Sequence, residues 1–394
     1  MNSIEHVIYS TPPLTVADDV VLADIETLRE ELRFYLHTPR RWYGTLRRAT
    51  FARAVQGSNS IEGYNASVED VAAVIEDEEP LDADTETRQA ISGYRDAMTY
   101  VIQLAPTSPT IDASLLRSLH FMMMKYDLSK NPGQWRPGAV WVQNEHGDSV
   151  YEAPDRSDLE PLIDELLADI NDYNAPPMVA AAMAHLNLTL LHPFSDGNGR
   201  MARCLQSFVL ARDGVLSPEF ASIEEYLGRN TNAYYDALTT VAQGKGSPQR
   251  DTRPWIEFCL TAHYRQASTL LRRIQEAEAL WDRCEQAASR HGLPDRVVGA
   301  MCDAARGWRL RRSLYVKITR SASGDKISDA MAPRDLAAMA SAGLLEPVGQ
   351  KRGRYYEPTA ELRSVWAEIR TSRTAKPIAD PYEHVRQPRL SGLD

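Results

Sequence analysis

The stretch HPFSDGNGRMAR, residues 192–203, decides which fold and which chemistry this chain can carry. It combines a histidine, an acid, an asparagine, two glycines and two arginines. Because His192 precedes Pro193, and a residue before proline avoids helical backbone angles, we predict that an apolar helix over 176–191 ends at His192. The imidazole then lies at the mouth of a loop, where it can accept a proton.

The rest of the stretch predicts an anion site at the start of a second helix. The Gly-Asn-Gly segment 197–199 lets the backbone approach a ligand, and the first N–H groups of the new helix point at it. Arg200 and Arg203 are three residues apart and suit phosphate oxygens, whereas Asp196 would repel them unless Mg²⁺ lies between. The set indicates phosphoryl-type transfer from a nucleotide to a hydroxyl. The alternative is a structural loop in which Asp196 caps the helix.

Length and composition set the broad class of protein. The chain has 394 residues, 43% of them hydrophobic and 25% charged, which is typical of a globular protein of two or three domains. Its net charge of −10 argues against polyanion binding by the whole molecule. The cysteines are far apart and form no CxxC pair, which argues against a zinc site or a disulfide framework and favours a reduced, cytoplasmic location. We see neither a secretory signal nor a membrane span.

Hydrophobic periodicity predicts a mainly helical chain. The predicted helices cover 17–38, 43–62, 67–78, 85–104, 113–126, 157–173, 176–191, 201–214, 232–244 and 252–284. Ser67 and Asp70 predict a capping box at the start of the third helix. Prolines and glycines interrupt the helical pattern before residue 139, and the segment 139–152 predicts a β-hairpin with a turn at Gly147 and Asp148.

The segment 306–354 differs from the rest of the chain in charge. It carries eleven Lys or Arg residues against four Asp or Glu residues, a balance of +7. Within it and just beyond, the pattern over 326–358 predicts two helices followed by a strand, a basic turn and a strand. This change of character predicts a small second domain.

The opening stretch resembles the signature of the Fic family. It matches every fixed position of that signature: His192, Phe194, Asp196, Gly197, Asn198, Gly199, Arg200 and Arg203. AMAHLNLTLLHPF before it, the tyrosines at 234 and 235, and PWIEFCL after it extend the resemblance over about 10–275, with the strongest part at 110–275. The resemblance implies a helical bundle with a β-hairpin flap.

The resemblance also implies an activity, the transfer of AMP from ATP to a Ser, Thr or Tyr hydroxyl of a protein. His192 would be the general base and Asp196 would hold Mg²⁺. The nucleotide would be bound by Gly197, Asn198, Gly199, Arg200, Met201, Ala202 and Arg203. Tyr234 and Gln243 are candidates for the adenine pocket, although Tyr234 could equally be a core residue and the family often places Asn where Gln243 stands.

The predicted hairpin resembles the family's flap, whose exposed edge holds the target peptide by strand addition. The docking residues would be Val140, Trp141, Val142 and Gln143. The alternative is a hairpin that only protects the core.

SNSIEGYN, residues 58–65, is the second informative stretch. Ser58 and Glu62 are four residues apart and share one helix face, and Gly63 can end that helix. Beside a Fic core they resemble the family's N-terminal inhibitory motif, which implies that Glu62 pairs with Arg203 and blocks the ATP γ-phosphate position. Glu62 could alternatively position a water for removal of AMP, and an isolated motif of this kind would be a solvated helix end.

Residues 291–365 resemble a winged helix. The candidate phosphate-contacting surface consists of Arg306, Arg309, Arg311, Arg312, Lys351, Arg352 and Arg354, so DNA is a possible partner. Alternatively, the module mediates protein contacts or formation of a homodimer.

These readings give a mainly α chain with five parts. They are a helical region with the inhibitory motif (1–110), a Fic core (111–275), a connecting helix (276–290), a winged-helix-like domain (291–365) and a mobile tail (366–394). The predicted function is protein adenylyltransferase, acting on a protein of unknown identity. The alternatives are a Fic-type transferase that uses another nucleotide, and a nucleotide-sensing DNA-binding regulator.

Overall fold

The computed structural model describes residues 8–38, 40–143, 149–172, 175–323, 327, 330–350, 353–372 and 378–383. The helices up to the opening stretch are α1 (Val16–His37), α2 (Tyr43–Ile61), α3 (Val68–Ile75), α4 (Thr85–Leu104), α5 (Ala113–Met124), α6 (Leu159–Asp172) and α7 (Pro177–Leu191). The later helices are α8 (Asn198–Ala211), α9 (Pro218–Ala221), α10 (Glu224–Arg229), α11 (Thr231–Ala242), α12 (Arg253–Arg290), α13 (Val298–Ala305), α14 (Arg312–Ser323), α15 (Met331–Ser341) and α16 (Ala360–Thr371). The strands are β1 (Trp141–Gln143), β2 (Ser149–Glu152), β3 (Gly244–Lys245), β4 (Leu345–Val348) and β5 (Tyr355–Pro358). The chain is mainly helical, as predicted.

Helix α7 lies at the centre of the bundle and packs against α6, α8 and α12. It buries residues on all sides, from Met178 to Leu191. A helix that is apolar all round is stable only when neighbours cover every face, which explains the central position. The end of α7 and the start of α8 meet in the loop of the opening stretch, so the candidate site lies where the two most enclosed helices join.

Helix α12 is a single helix of 38 residues. Its first part packs against α1, α7 and α11, and it also contacts α13 and α16. The predicted boundary between residues 275 and 276 therefore falls inside a continuous helix, and the connecting helix is the C-terminal part of α12. Two short helices, α9 and α10, were not predicted, because segments of four and six residues are too short to show a helical period.

The predicted hairpin forms from two antiparallel strands, with Trp141 opposite Glu152 and Val142 opposite Tyr151. Strand β3 adds to it in parallel through Gly244 and Lys245, which the sequence did not predict. The strand order is β1-β2-β3, so β1 is an edge strand of this sheet. The predicted turn at 147 and 148 lies outside the described residues.

The C-terminal module contains α13, α14 and α15, an isolated antiparallel bridge between Leu310 and Tyr356, and the β4–β5 ribbon. Of the two helices predicted within 326–344, the described residues contain only α15. The winged-helix assignment of this module stays a prediction. None of the helices in the described part of the chain has the length and apolarity to cross a bilayer.

The expected mobile tail needs correction at two places. Helix α16 continues to Thr371, beyond the predicted boundary at 366. Tyr382 is 2% exposed and its hydroxyl donates to Asp18 of α1 at 2.8 Å. A buried aromatic ring with a hydrogen-bonded hydroxyl anchors residues 378–383 to the bundle. Residues 373–377 and 384–394 lie outside the described part of the chain.

Three of the basic residues expected to form a DNA-binding surface form ion pairs with acidic residues of the same chain. They are Arg306, Arg309 and Arg311. Arg309 donates to Glu69 through its backbone N–H at 2.8 Å and to Asp70 through Nη2 at 2.9 Å. Arg311 pairs with Glu78 at 3.4 Å.

Arg306, also predicted as a phosphate contact, pairs with Asp303 at 3.3 Å and its side chain is only 8% exposed. Arg306, Arg309 and Arg311 therefore pair with acids of the same chain, which come from α13 and from α3 and the residues after it. The phosphate-contacting surface stays a prediction. Arg312 also has a partner, whereas Arg354 is exposed, and residues 351 and 352 lie outside the described part.

Candidate active site

His192 stands at the C-terminus of α7 in the left-handed conformation, with φ 50° and ψ 56°. Its backbone N–H donates to Leu188 O at 3.1 Å, so the helix ends there, as the following proline predicted. The ring Nδ1 lies 3.3 Å from Thr189 O; since a carbonyl only accepts, Nδ1 carries the proton and Nε2 keeps its lone pair. Burial lowers the pKa of His192 below its ordinary value of 6.5, so the imidazole is neutral at pH 7.

Arg136 fixes the backbone on the far side of His192, and sequence reasoning missed it. Its side chain is fully buried, and Nε donates to His192 O at 3.0 Å. Its other guanidinium nitrogens donate to Gly138 O and Pro154 O, at the two ends of the hairpin. One arginine therefore joins the base of the flap to the histidine loop. The only signal in the sequence was a charge within the proline-rich stretch NPGQWRPG.

The loop after His192 is closed by its own side chains. Asn198 accepts from the Phe194 N–H and donates to Phe194 O, both at 2.9 Å. Phe194 is fully buried and its ring stacks on His120 at 3.7 Å between centroids. His120 Nδ1 accepts from the Gly133 N–H at 2.8 Å, so its Nε2 carries the proton and donates to the Asp196 carbonyl at 3.0 Å. His120 is a second positioning residue that the sequence gave no reason to select.

Helix α8 begins at Asn198, immediately after Gly197, whose φ is +74°. A Cβ at this position would lie 2.9 Å from Met124 Sδ, so the loop has no room for a side chain. No side chain caps the helix, and the Asp196 carboxylate accepts instead from the adjacent Gly197 N–H at 2.6 Å. The alternative of a structural loop capped by Asp196 therefore lacks its cap, and the N-terminal amides of α8 remain available for an anion.

Arg203 is 1% exposed and is held by Ser58 and Glu62. Its Nε donates to Ser58 Oγ at 2.8 Å, and Nη2 donates to Ser58 O at 3.0 Å and to Glu62 Oε1 at 2.6 Å. Both residues that the sequence placed on one face of α2 thus contact the same guanidinium. The pair raises the pKa of Arg203 against the opposing effect of burial, so this arginine stays charged.

Glu62 is the C-cap residue of α2, and Gly63 follows with φ +86°. Its carboxylate lies over the start of α8, because a Cβ on Gly199 would come within 2.5 Å of Glu62 Oε1. A negative group of the protein therefore occupies the place where the helix N-terminus and Arg203 would bind an anion. The 25% exposure of the Glu62 side chain shows that the carboxylate reaches in from the rim.

Arg200 points to a different partner from Arg203. Its Nη2 lies 3.0 Å from Met124 Sδ, and Nη1 donates to the Tyr126 hydroxyl at 3.4 Å. Its guanidinium also stacks over the ring of Tyr64 at 5.0 Å. The two arginines share the first turns of α8, but in this structure their guanidinium groups contact different side chains.

Asp196 is the only one of the predicted site residues that offers a carboxylate to a metal from this loop. Its side chain is 36% exposed and pairs with Lys130 at 3.4 Å. Among the described residues there is no group of three or more His, Cys, Asp or Glu side chains that could hold a metal. Mg²⁺ commonly needs only one or two protein carboxylates, with water and substrate phosphates completing its shell, so a single Asp196 fits that donor set.

The structure places Tyr234 in the core. It is 1% exposed, its hydroxyl lies 3.1 Å from His185 Nε2, and its ring packs near Trp255. Its burial fits the alternative that Tyr234 is a core residue, and its part in an adenine pocket stays a prediction. The neighbouring Tyr235 is 45% exposed and donates to Ile61 O at 3.4 Å, one residue before Glu62.

Gln243, the other adenine candidate, ends α11 with φ 44°, and its amide donates to Thr240 O at 3.0 Å. The flap residues lie on the edge strand and just before it, with Trp141 53% exposed and Val140 O accepting from Ala153 N at 3.2 Å. The methionine and alanine of the motif, Met201 and Ala202, are fully buried and contribute backbone rather than side chains to the site.

The domain that this fold and site define is a Fic domain. Residues 110–210 match the Fic/DOC family. The model of that family covers the end of the N-terminal region through α8, including the whole of the opening stretch.

Relatives support the same assignment at low identity. The chain is 27% identical over 213 residues to "Protein adenylyltransferase Fic" of Aedes aegypti, covering 53% of this chain and 39% of that protein. It is 26% identical over 254 residues to "Protein adenylyltransferase fic-1" of Caenorhabditis elegans, covering 63% and 46%. The chain therefore spans less than half the length of these curated relatives.

Solved structures show the fold. A Fic family protein from Desulfovibrio desulfuricans superposes with a TM-score of 0.57 at 22% identity, over 89% of this chain and 98% of that chain. Fic-1 from Caenorhabditis elegans gives 0.52 at 21% identity, over 66% and 73%. The predicted Fic-type helical architecture is thus confirmed.

Proposed function

We propose that the protein is an adenylyltransferase that transfers AMP from ATP to a Ser, Thr or Tyr hydroxyl of another protein, and that Glu62 holds it inactive. The observation that carries this proposal is the Glu62 carboxylate at the start of α8, paired with Arg203 at 2.6 Å, one loop away from a neutral His192. A purely structural loop would not require a general base, an anion-binding helix N-terminus and a carboxylate that occupies this anion site.

His192 acts as the general base in this proposal. Its Nε2 lone pair accepts the proton of the attacking hydroxyl, while Arg136 and the αL backbone keep the ring at the loop mouth. The hydroxyl oxygen then forms a bond to the α-phosphorus, and the bond from that phosphorus to pyrophosphate breaks. The amides at the start of α8 and the Arg203 guanidinium stabilise the negative charge of the phosphates.

Asp196 would hold Mg²⁺ in the proposed site. The ion would neutralise the phosphates that the carboxylate alone would repel. Lys130, which now pairs with Asp196 at 3.4 Å, is 46% exposed and can turn away into solvent.

Inhibition follows from charge competition. A carboxylate and a phosphate that need the same guanidinium and the same helix N-terminus cannot bind together. The ion pair is largely enclosed, so its hydrogen bonds must be broken before a triphosphate binds fully. The same glutamate, once displaced from Arg203, is also suitably placed to orient a water for removal of AMP.

The edge strand β1 offers its backbone to the target protein. Strand addition along Trp141–Gln143 would lay an extended segment beside the loop of His192, because Arg136 joins the hairpin to that loop. We propose this docking role for Val140, Trp141, Val142 and Gln143. Action on cytoplasmic proteins fits the spaced, buried and unpaired cysteines.

A Fic-type transferase that uses another nucleotide is the second candidate. It is favoured by one observation: Tyr234, the aromatic residue expected to bind adenine, is enclosed in the core and cannot select a base. The choice of nucleotide would then rest on other residues. The exposed Tyr235, whose hydroxyl donates to Ile61 O at 3.4 Å, is one candidate.

The test is self-labelling of the full chain by nucleoside triphosphates labelled at the α-phosphate. We expect Glu62→Gly to label itself at least about tenfold more than the native chain, since a charge-assisted hydrogen bond of roughly 1.5–3 kcal/mol no longer opposes ATP. Glu76→Gly is the matched control, because Glu76 ends α3 with almost the same backbone angles but does not contact Arg203.

His192→Ala in the Glu62→Gly background should abolish the label. Offering ATP, GTP, CTP and UTP in turn decides between the two candidates, with ATP expected to give the strongest label. Equal labelling by the native chain and Glu62→Gly would refute the inhibitory role, and labelling that survives His192→Ala would refute the catalytic one.

A further inference from the structure

A second concentration of positive charge lies away from the site described above. A cavity of about 340 Å³ opens between α2, α10, α12 and the C-terminal helices. Six of its lining side chains are arginines: Arg53, Arg229, Arg272, Arg273, Arg306 and Arg370. They come from five separate parts of the chain, so only the tertiary structure brings them together.

The carboxylates around the cavity do not balance these charges. Glu225 pairs with Arg229 at 2.8 Å and with Arg273 at 2.5 Å, so one acid serves two arginines. Glu276 lies 3.8 Å from Arg272.

Asp303 pairs with Arg306 at 3.3 Å and also with Arg48 from outside the cavity at 2.7 Å. Three acids therefore face six lining arginines, and the cavity keeps an excess of positive charge.

Arg53 and Arg370 carry that excess. Their side chains have no ion pair or hydrogen bond with any described residue. Burial, together with the charges of Arg273, Arg229 and Arg306, lowers the pKa of Arg53 to about 10. An arginine with an unfavourable set of like charges around it, in a chain of net charge −10, indicates an anion that completes the site.

We infer that this cavity binds a small oligophosphate anion at a site separate from the catalytic one. Guanidinium groups bind phosphate oxygens through paired N–H donors, and several arginines directed into one concave space suit a ligand with several phosphate groups. Arg53 and Glu62 lie nine residues apart on α2, a rise of roughly 14 Å, so one small ligand cannot fill both sites. A small anion fits an enclosed space between helices, whereas a nucleic-acid duplex presents its phosphates on a convex surface.

The bound anion would join three parts of the protein. Arg53 belongs to α2, Arg272 and Arg273 to α12, and Arg370 to α16. The site would therefore be complete only when the C-terminal module is docked on the helix that carries the inhibitory glutamate.

Isothermal titration of the full chain with tripolyphosphate at low ionic strength tests the inference. We expect one site per chain, and we expect Arg370→Ala and Arg53→Gln each to weaken binding by about tenfold or more. Arg370 is exposed and its side chain makes no ion pair or hydrogen bond with a described residue, so its replacement should leave the fold intact. Arg363→Ala is the matched control, because Arg363 lies on the same helix and pairs with Glu357 at 3.7 Å outside the cavity.

A parallel titration with UTP identifies the source of the phosphates. Only the binding that Arg370→Ala removes is assigned to the cavity. If the cavity binds UTP more tightly than tripolyphosphate, its ligand is a nucleotide. If it binds UTP equally or more weakly, its ligand is a free oligophosphate. No binding by the native chain, or an unchanged affinity in Arg370→Ala, would overturn the inference. The titrations involve no catalysis, so their result does not depend on whether the proposed transferase activity is present.

Discussion

His192 shows how one residue's surroundings set its chemistry. The proline after it ends α7, and the left-handed backbone turns the ring toward the loop. Burial then disfavours the imidazolium and leaves a base that is neutral at physiological pH. His120 and His185 are also neutral because of burial, but both ring nitrogens of each contact protein groups. Of these three histidines, only His192 has a ring nitrogen without a protein partner.

The depressed pKa of His192 predicts the pH dependence of labelling by Glu62→Gly. The base works when neutral, so the rate should be constant above pH 6.5 and fall only below it, as the pH drops through the lowered pKa. Initial rates at saturating ATP between pH 5 and 8 measure this, and His192→Ala serves as the blank. A rate that keeps rising between pH 7 and 8 would point to a different base.

Glu224 provides a second pH test, this time on stability. It is 1% exposed, accepts from Ser207 Oγ at 2.9 Å, and burial raises its pKa to about 7 from 4.5. Between those values the unfolded chain releases a proton that the folded chain keeps. The free energy of unfolding should therefore fall as pH rises from about 4.5 to 7, by at most ~3 kcal/mol.

Glu224→Gln should remove this slope and make the protein more stable than the native chain at pH 8. Urea unfolding at pH 5 and pH 8 measures the difference. Equal pH dependence in both proteins would mean that Glu224 is ionised in the fold.

Helix α2, which ends at Glu62, approaches α10 closely. A Cβ on Gly57 would lie 2.5 Å from Glu224 O, and one on Gly228 would lie 2.6 Å from Gly57 Cα. The two backbones therefore touch at a pair of glycines, immediately before Ser58. This contact fixes the position of the helix end from which Glu62 reaches Arg203.

Gly57→Ala should force α2 away from α10. We expect a loss of about 1–3 kcal/mol in the free energy of unfolding, as for other overpacked interiors, and an increase in self-labelling although no site residue has changed. Chemical denaturation and labelling by ATP measure the two effects. Gly353→Ala is the control, since a Cβ there meets nothing within 4 Å; unchanged labelling by Gly57→Ala would separate the helix contact from inhibition.

Ion pairs connect the N-terminal region of the chain to the C-terminal module. Arg309 from the C-terminal module contacts Glu69 and Asp70 of α3, and Lys317 lies 3.6 Å from Glu76. Asp70 is 1% exposed, so its buried carboxylate depends on Arg309 for charge neutralisation. The acidic N-terminal region and the basic C-terminal module thus neutralise each other within one chain.

Arg309→Ala should therefore lower the free energy of unfolding by roughly 3 kcal/mol, because it leaves a buried acid without its partner. Arg354→Ala, at an exposed position, should change it by less than about 0.5 kcal/mol. Urea denaturation compares the two variants. Unchanged stability in Arg309→Ala, together with a loss of salt-dependent binding to duplex DNA, would instead support the nucleic-acid surface.

Features that depend on neighbouring residues could be predicted from the sequence. The proline that ends α7, the glycines that start α8, and the spacing of Ser58 and Glu62 act through neighbouring backbone and one helix face, so the sequence alone predicted them. The hairpin was predicted for the same reason, whereas its third strand, only two residues long, was not.

Contacts between distant segments were decided by the tertiary structure. The resemblance to a family supplied the pairing of Glu62 with Arg203, which lie 141 positions apart. The burial of Tyr234 was one of two alternatives that the sequence left open. Nothing predicted the anchoring of Tyr382, the roles of Arg136 and His120, or the use of the basic residues as internal ion pairs. A charge or a ring has the same sequence signature in the core, at a surface or at an interface, because its energy depends on neighbours that folding brings together.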